Sequence, residues 1–269
     1  MSDTLRLYLR LVGVQIRTQL QYPASFLFDV VTNGANLIIY FASLALIFAK
    51  FKNIGGWSLG EVAFLWGLVE ISFGAMDMIF SGFDPDTFSV LVRQGLFDQY
   101  LLRPFNITLQ VLGARFILRR WGRIIQGCFI FGYALTLLNV HWSAAKLAFL
   151  PLVLLSQVLF FGALFIAGAT LTFWTVQPVE AVNIFTYGGT EMIAYPMQIY
   201  PGWMRQFFTY IIPAIFINYY PALYLLDKTD PFGMPLAVRF LAPMAGLALF
   251  GAALLFWHFG LNHYQSTGS

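Results

Sequence analysis

FSVLVRQGLFDQYLLRPFN, residues 88–106, sets Arg93, Asp98 and Arg103 among apolar residues, while the chain on either side is too apolar for a protein dissolved in water. A charged, amphipathic stretch between two long apolar runs reads as a connector at a membrane surface. The runs cross the lipid and the connector joins them on one face. On helical spacing Leu91, Leu96, Leu101 and Leu102 are expected against the spans, leaving Arg93, Gln94, Asp98 and Gln99 to water or a partner. Gly95 interrupts the stretch and Pro104 ends it.

Composition agrees. Hydrophobic residues make up 59% of the 269-residue chain and charged residues 10%, where a soluble domain carries about a quarter charged. Mean hydropathy is +0.73. No polar stretch is long enough for a separate soluble domain, so residues 1–269 are read as one all-α integral membrane domain. A net charge of +3 gives no support to nucleic-acid binding. Cys128 stands alone in an apolar run, expected as a small packed residue, and His141, His258 and His263 lie near span ends without metal-site spacing. The N-terminus lacks the apolar core and cleavage site of a signal peptide.

A crossing helix needs about 20 mostly apolar residues. Residues 26–48, 62–80, 121–138, 147–174 and 236–259 qualify, and 179–195 is apolar enough for a sixth despite Glu180, Asn183 and Glu191. Before the first span, Leu5, Leu9, Val12, Ile16 and Leu20 recur at helical spacing with Arg6, Arg10 and Arg17 elsewhere on the turn, the pattern of an interfacial helix over 1–22. Tyr22-Pro23 breaks it. After Tyr195, Pro196, Pro201, Pro213 and Pro221 rule out one straight helix. Backbone in lipid must satisfy its own hydrogen bonds or be covered, so 207–226 is expected as short helices that dip into the outer leaflet and return, within an outer segment 196–228.

With both termini inside, the arginines at 6, 10, 17, 93, 103, 115, 119, 120 and 123 share the inner face, against Lys50, Lys52, Lys146, Arg205, Lys228 and Arg239 outside. The chain is thus expected in the inner (plasma) membrane, with 82–120 a cytosolic loop. Arg115, Arg119, Arg120 and Arg123 are placed to grip headgroup phosphates. Trp57, Trp142, Trp203 and Trp121, Trp174, Trp257 are expected as aromatic belts at the two interfaces.

Three spans carry polar stripes. Asp29, Asn33 and Asn36 share a face of the first, continued by Tyr40; Glu70 and Asp77 share one of the second; Asn183, Tyr187, Thr190 and Glu191 line up on the fifth. Such groups are costly in lipid, and they either bond helix to helix or line a solute route. Gly162, Gly168 and the neighbouring alanines of the fourth span point to close helix packing.

The chain holds no G-x-x-x-x-G-K-[ST] phosphate loop, no G-x-S-x-G elbow and no HExxH pair. It is not read as an enzyme, and any ATP hydrolysis belongs to a partner.

Four patches, LVRQGLFDQYLLRPFN, FILRRWGR, FTYGGTEMIAYPMQIYPGWMRQF with NYYPALYLL, and the terminal HYQSTGS, together resemble a permease of the ATP-binding-cassette type-2 exporter class, near the daunorubicin and nodulation-factor exporters. The resemblance implies six transmembrane helices, an N-terminal interfacial helix, a cytosolic coupling helix between spans two and three, and re-entrant helices between spans five and six. It makes residues 90–103 the coupling element, with Val90, Arg93, Gln94, Asp98, Leu101 and Arg103 meeting the ATPase, and it makes the stretch carrying Pro196, Pro201, Pro213 and Pro221 the outer gate. It implies two ATP-binding-cassette ATPase subunits, a second permease that is a different chain or another copy, and ATP and Mg on the partner with no cofactor on this chain.

On this reading an amphipathic or organic solute leaves the cytoplasm or inner leaflet, along a route lined by Asp29, Asn33, Asn36, Glu70, Asp77, Asn183, Tyr187 and Glu191. Two rivals stand beside it: an ion-gradient-driven secondary transporter using Glu70, Asp77 and Glu191, and a membrane scaffold that moves nothing.

Overall fold

The computed structural model describes residues 3–21 and 23–266; within these, the side chains of residues 3–5, 23, 25, 26, 29, 30, 33–35, 37, 38 and 181 lie outside the described set. Helices run in the order α1 (Asp3–Leu20), α2 (Pro23–Phe51), α3 (Leu59–Phe80), α4 (Pro85–Arg93), α5 (Asp98–Leu101), α6 (Ile107–Ala114), α7 (Trp121–Leu137), α8 (Ala144–Thr175), α9 (Glu180–Asn183), α10 (Gly189–Ile193), α11 (Gly202–Tyr210), α12 (Ala214–Ile217), α13 (Tyr219–Leu225) and α14 (Ala242–His263). No named strand forms among the described residues.

Among the described residues three stretches are long and apolar enough to cross a membrane: Leu59–Arg93, Ala144–Thr175 and Ala242–His263. The pair Gly202–Tyr210 and Ala214–Leu225, bent by 73°, makes up to four if counted as one. The expected first and third crossings are helices of 29 and 17 residues.

Local chemistry sets the boundaries. Ser58 and Glu61 form a reciprocal capping box that starts α3. Asp84 caps α4 and Asn106 caps α6 through their side-chain oxygens, and Ser143 does the same for α8. Helix α1 is stitched to the chain before α7: Gln15 and Gln19 donate to the carbonyls of Ala114 and Phe116, and Leu118 N–H donates back to Gln19 Oε1 at 2.9 Å.

Helix α3 packs between α7 and α8, and α14 runs along α8. The fourth span's small residues do what their spacing predicts: a Cβ at Gly168 would come within 2.6 Å of Pro85 and 2.7 Å of Val182, so α4 and α9 lie directly on α8 there. Cys128 departs from expectation, since it is exposed. Two of the six belt tryptophans depart from expectation, while Trp121, Trp174 and Trp203 are exposed. Trp57 and Trp257 are fully buried, Trp257 in an aromatic cluster with Phe83, Phe88 and Phe173 at ring separations of 5.0, 5.5 and 5.2 Å. At these two positions the large apolar ring is packed against other rings inside the bundle, so nearness to a span end did not mean exposure.

The opening stretch folds differently from one amphipathic helix. Helix α4 stops at Arg93, Gly95 turns the chain with φ +66°, and α5 is a single turn. Only glycine takes that conformation without strain. The break resets the helical register, so Phe88, Val92 and Phe97 are the buried residues while Leu96, Leu101 and Leu102 are exposed, Leu102 at 85%.

Candidate functional site

A cavity of about 230 Å³ lies among α2, α3, α7 and α10, lined by Asn36, Tyr40, Trp66, Glu70, Arg119, Arg120, Arg123, Gln126 and Glu191. Three of the residues expected on the solute route, Asn36, Glu70 and Glu191, thus meet in one polar chamber from three helices. Its floor is fixed. Glu70 receives Arg123 Nε on Oε2 at 2.6 Å and Nη2 on Oε1 at 3.0 Å, and Trp66 Nε1 also donates to Oε1 at 3.2 Å. The same guanidinium lies 4.4 Å from the centre of the Phe73 ring. Two turns further along α3, Asp77 pairs with Arg120 at 2.7 Å. Both carboxylates are nearly buried, and a two-point arginine contact is the geometry that compensates a carboxylate there.

Arg120 and Arg123 thus pair with carboxylates of α3, partners that the headgroup reading did not include, and of the two readings open for the α3 stripe the helix-to-helix bond is made at both acidic positions. The signal lay in the sequence: carboxylates seven apart on α3 and arginines three apart at the start of α7, paired in reversed order as antiparallel neighbours require. Glu191 differs. It is exposed, with no ion pair among the described residues.

The remaining route residues lie elsewhere. Asn183 donates to Asp86 at 3.2 Å, and the Tyr187 ring packs on Phe73 and Phe165 at 5.6 and 6.1 Å. A π turn over Ile184–Gly188 lies between Asn183 and Glu191, and the three residues meet different neighbours, Asp86, Phe73 with Phe165, and the chamber. Asp29 and Asn33 fall in α2, and their side chains lie outside the described residues.

At the α4–α5 end, Arg93, Gln94, Leu101 and Arg103 are exposed and Val90 is half-buried. Asp98 does not face outward: Tyr264 Oη donates to its Oδ1 at 2.9 Å and Ser266 Oγ to its Oδ2 at 2.6 Å. Burial, and then the Asp98 carboxylate, push the Tyr264 phenol up to about 12.

At the other end Pro196 precedes a tight turn, Pro201 and Pro213 precede α11 and α12, and Pro221 sits in the first turn of α13, each where a missing N–H costs least. Their backbone role was legible. The anchor was not: Asn218, between α12 and α13, is fully buried and bonds Gln157, Leu65 and Ile193.

A family-wide sequence profile described as ABC-2 family transporter protein matches residues 34–268. The chain belongs to that ABC-2 family. No curated protein and no solved structure matches it. As a membrane subunit of an ABC-2 transporter, a family that works with an ATP-binding subunit, the chain has its polar chamber and its bent helix pair at separate places along one bundle.

Proposed function

We propose that this chain is the permease of an ATP-driven exporter, working as a pair of permeases above two ATPase subunits that bind ATP and Mg. The observation that carries the reading is membership of the ABC-2 transporter family over residues 34–268 in a chain without a phosphate-binding loop of its own. Six crossings, both termini cytoplasmic and a location in the inner membrane complete it. The basic and apolar surface at Arg93, Gln94, Leu102 and Arg103 supports docking of the ATPase there. Its motion reaches α3 through α4, and the permease pair alternates between two states of different affinity for nucleotide and solute.

The chamber is the solute site of this reading. Glu191 and Asn36 offer an acceptor and an amide beside arginines, a mixture suited to the polar head of an amphipathic organic solute whose apolar part lies along the helices. An ion-gradient mechanism needs carboxylates that bind and release a cation; of its three, Glu70 and Asp77 are each held by an arginine, which leaves Glu191 alone for that role. The test is transport of amphipathic dyes into inverted vesicles from cells expressing the permease with its ATPase. Uptake should require ATP and vanish with a hydrolysis-dead ATPase; uptake driven by an ion gradient alone defeats the reading.

A further inference from the structure

The α12–α13 hairpin is covered by apolar side chains, with Ile215, Ile217, Tyr219, Ala222 and Leu223 all buried. Inside that dry layer sits one amide. Asn218 Nδ2 donates to the Ile193 carbonyl at 2.7 Å, one of the unpaired carbonyls that end α10, and more weakly to the Leu65 carbonyl of α3 at 3.4 Å. Its Oδ1 accepts from Gln157 Nε2 of α8 at 3.0 Å, and that same nitrogen donates to the Ile217 carbonyl at 3.1 Å. One side chain thus joins the hairpin to three helices of the bundle.

We propose that Asn218, with Gln157 as its partner, is the positioning residue that holds the hairpin shut against the bundle, and that breaking this pair is the step that releases it. The proposal rests on the reading that this segment is the outer gate. Apolar contacts along the hairpin are interchangeable, because each can slide onto a neighbour at little cost. Buried amide bonds cannot slide, since pulling one apart without water exposes the full desolvation cost of both partners. The hold is therefore strong while the layer is dry and weak once water enters, which is how a two-state latch behaves. Gln157 Oε1 strengthens the case: it is buried and has no partner among the described residues. The shut arrangement leaves an acceptor unsatisfied, and an opening that admits water satisfies it, offsetting part of the cost of release.

The test uses the full chain in nanodiscs, where both faces are accessible, in a Cys128→Ser background with Leu223→Cys on the buried face of α13. The rate of labelling by a charged maleimide reads the opening. Asn218→Ala should label roughly tenfold to a hundredfold faster than the parent, and Gln157→Leu should also be faster. The double variant Asn218→Leu with Gln157→Leu, which leaves the Ile193, Leu65 and Ile217 carbonyls without these donors, should label at least as fast as Asn218→Ala. Asn218→Ser and thermal melting are measured alongside, so that a folding defect in the alanine chain does not decide the outcome. Parental labelling in Asn218→Ala or Asn218→Ser overturns the proposal, as does a double variant that labels at the parent rate. These rates need no nucleotide, so loss of ATP-dependent transport in the vesicle test leaves them unchanged and the two readings fail separately.

Discussion

Tyr264 donates its phenol hydrogen to Asp98 at 2.9 Å, joining residues 166 positions apart and tying the end of the last helix to the short connector after α4. The rings of Phe97 and Phe173 lie 5.1 and 5.2 Å from that of Tyr264, so the bond closes over an aromatic cluster rather than standing in water. The connector is thereby tied to the end of α14 as well as to α4.

Tyr264→Phe removes the bond and keeps the ring. Melting of the purified chain should fall by about 1 kcal/mol, the low end for a bond to a carboxylate because Asp98 is only partly covered. The pH dependence has a definite sign. The phenol is raised from 10.0 to about 12, so its stabilisation is complete below pH 10 and lost as pH rises through 12. The melting difference between Tyr264→Phe and the parent should stay constant up to pH 10 and close above it. With the ATPase present, the same variant should lower solute-stimulated hydrolysis several-fold.

Glu70→Ala should destabilise the chain by about 3–5 kcal/mol, because it leaves the Arg123 guanidinium buried without its carboxylate. Adding Arg123→Met should recover much of the loss. Melting in detergent of the two single variants and the double variant checks this. A loss in the double variant equal to the sum of the two single losses would show that the pair is not coupled.

Glu191→Gln should leave melting within about 0.5 kcal/mol of the parent, since the carboxylate has no ion pair to lose among the described residues. Transport should nevertheless fall at least several-fold, through weaker solute affinity. Vesicle uptake across a range of solute concentrations separates the two effects.

Leu102→Asp and Arg103→Glu change exposed side chains at the α5 end. Co-purification of the ATPase should drop about tenfold or more for either, with melting unchanged, and a cysteine at Arg93 should crosslink to the ATPase in the assembled complex. Undiminished co-purification places the docking surface elsewhere.

The helices were legible because membrane crossing imposes one long period of hydrophobicity, and because caps such as Ser58 with Glu61 and breakers such as Gly95 and Pro213 act over a few residues. The chamber was legible in part. Asn36, Glu70 and Glu191 stand out as polar residues in apolar runs, but their company does not: Arg119, Arg120 and Arg123 read as headgroup contacts until α7 is packed on α3. Asn183 and Tyr187 stand outside the chamber because their partners, Asp86 and the rings of Phe73 and Phe165, come from segments that side-chain spacing does not announce.

An all-helical, lipid-facing chain with its polar residues, breaks and caps in place follows from the order of residues alone, because hydropathy and backbone restriction are properties of neighbours. What each polar group is bonded to emerges only on packing: Asp98 to Tyr264 and Ser266, Glu70 to Arg123, Asn218 to three helices. In an apolar surrounding a buried donor or acceptor must find a partner, and which one it finds depends on segments that meet only after the chain has folded.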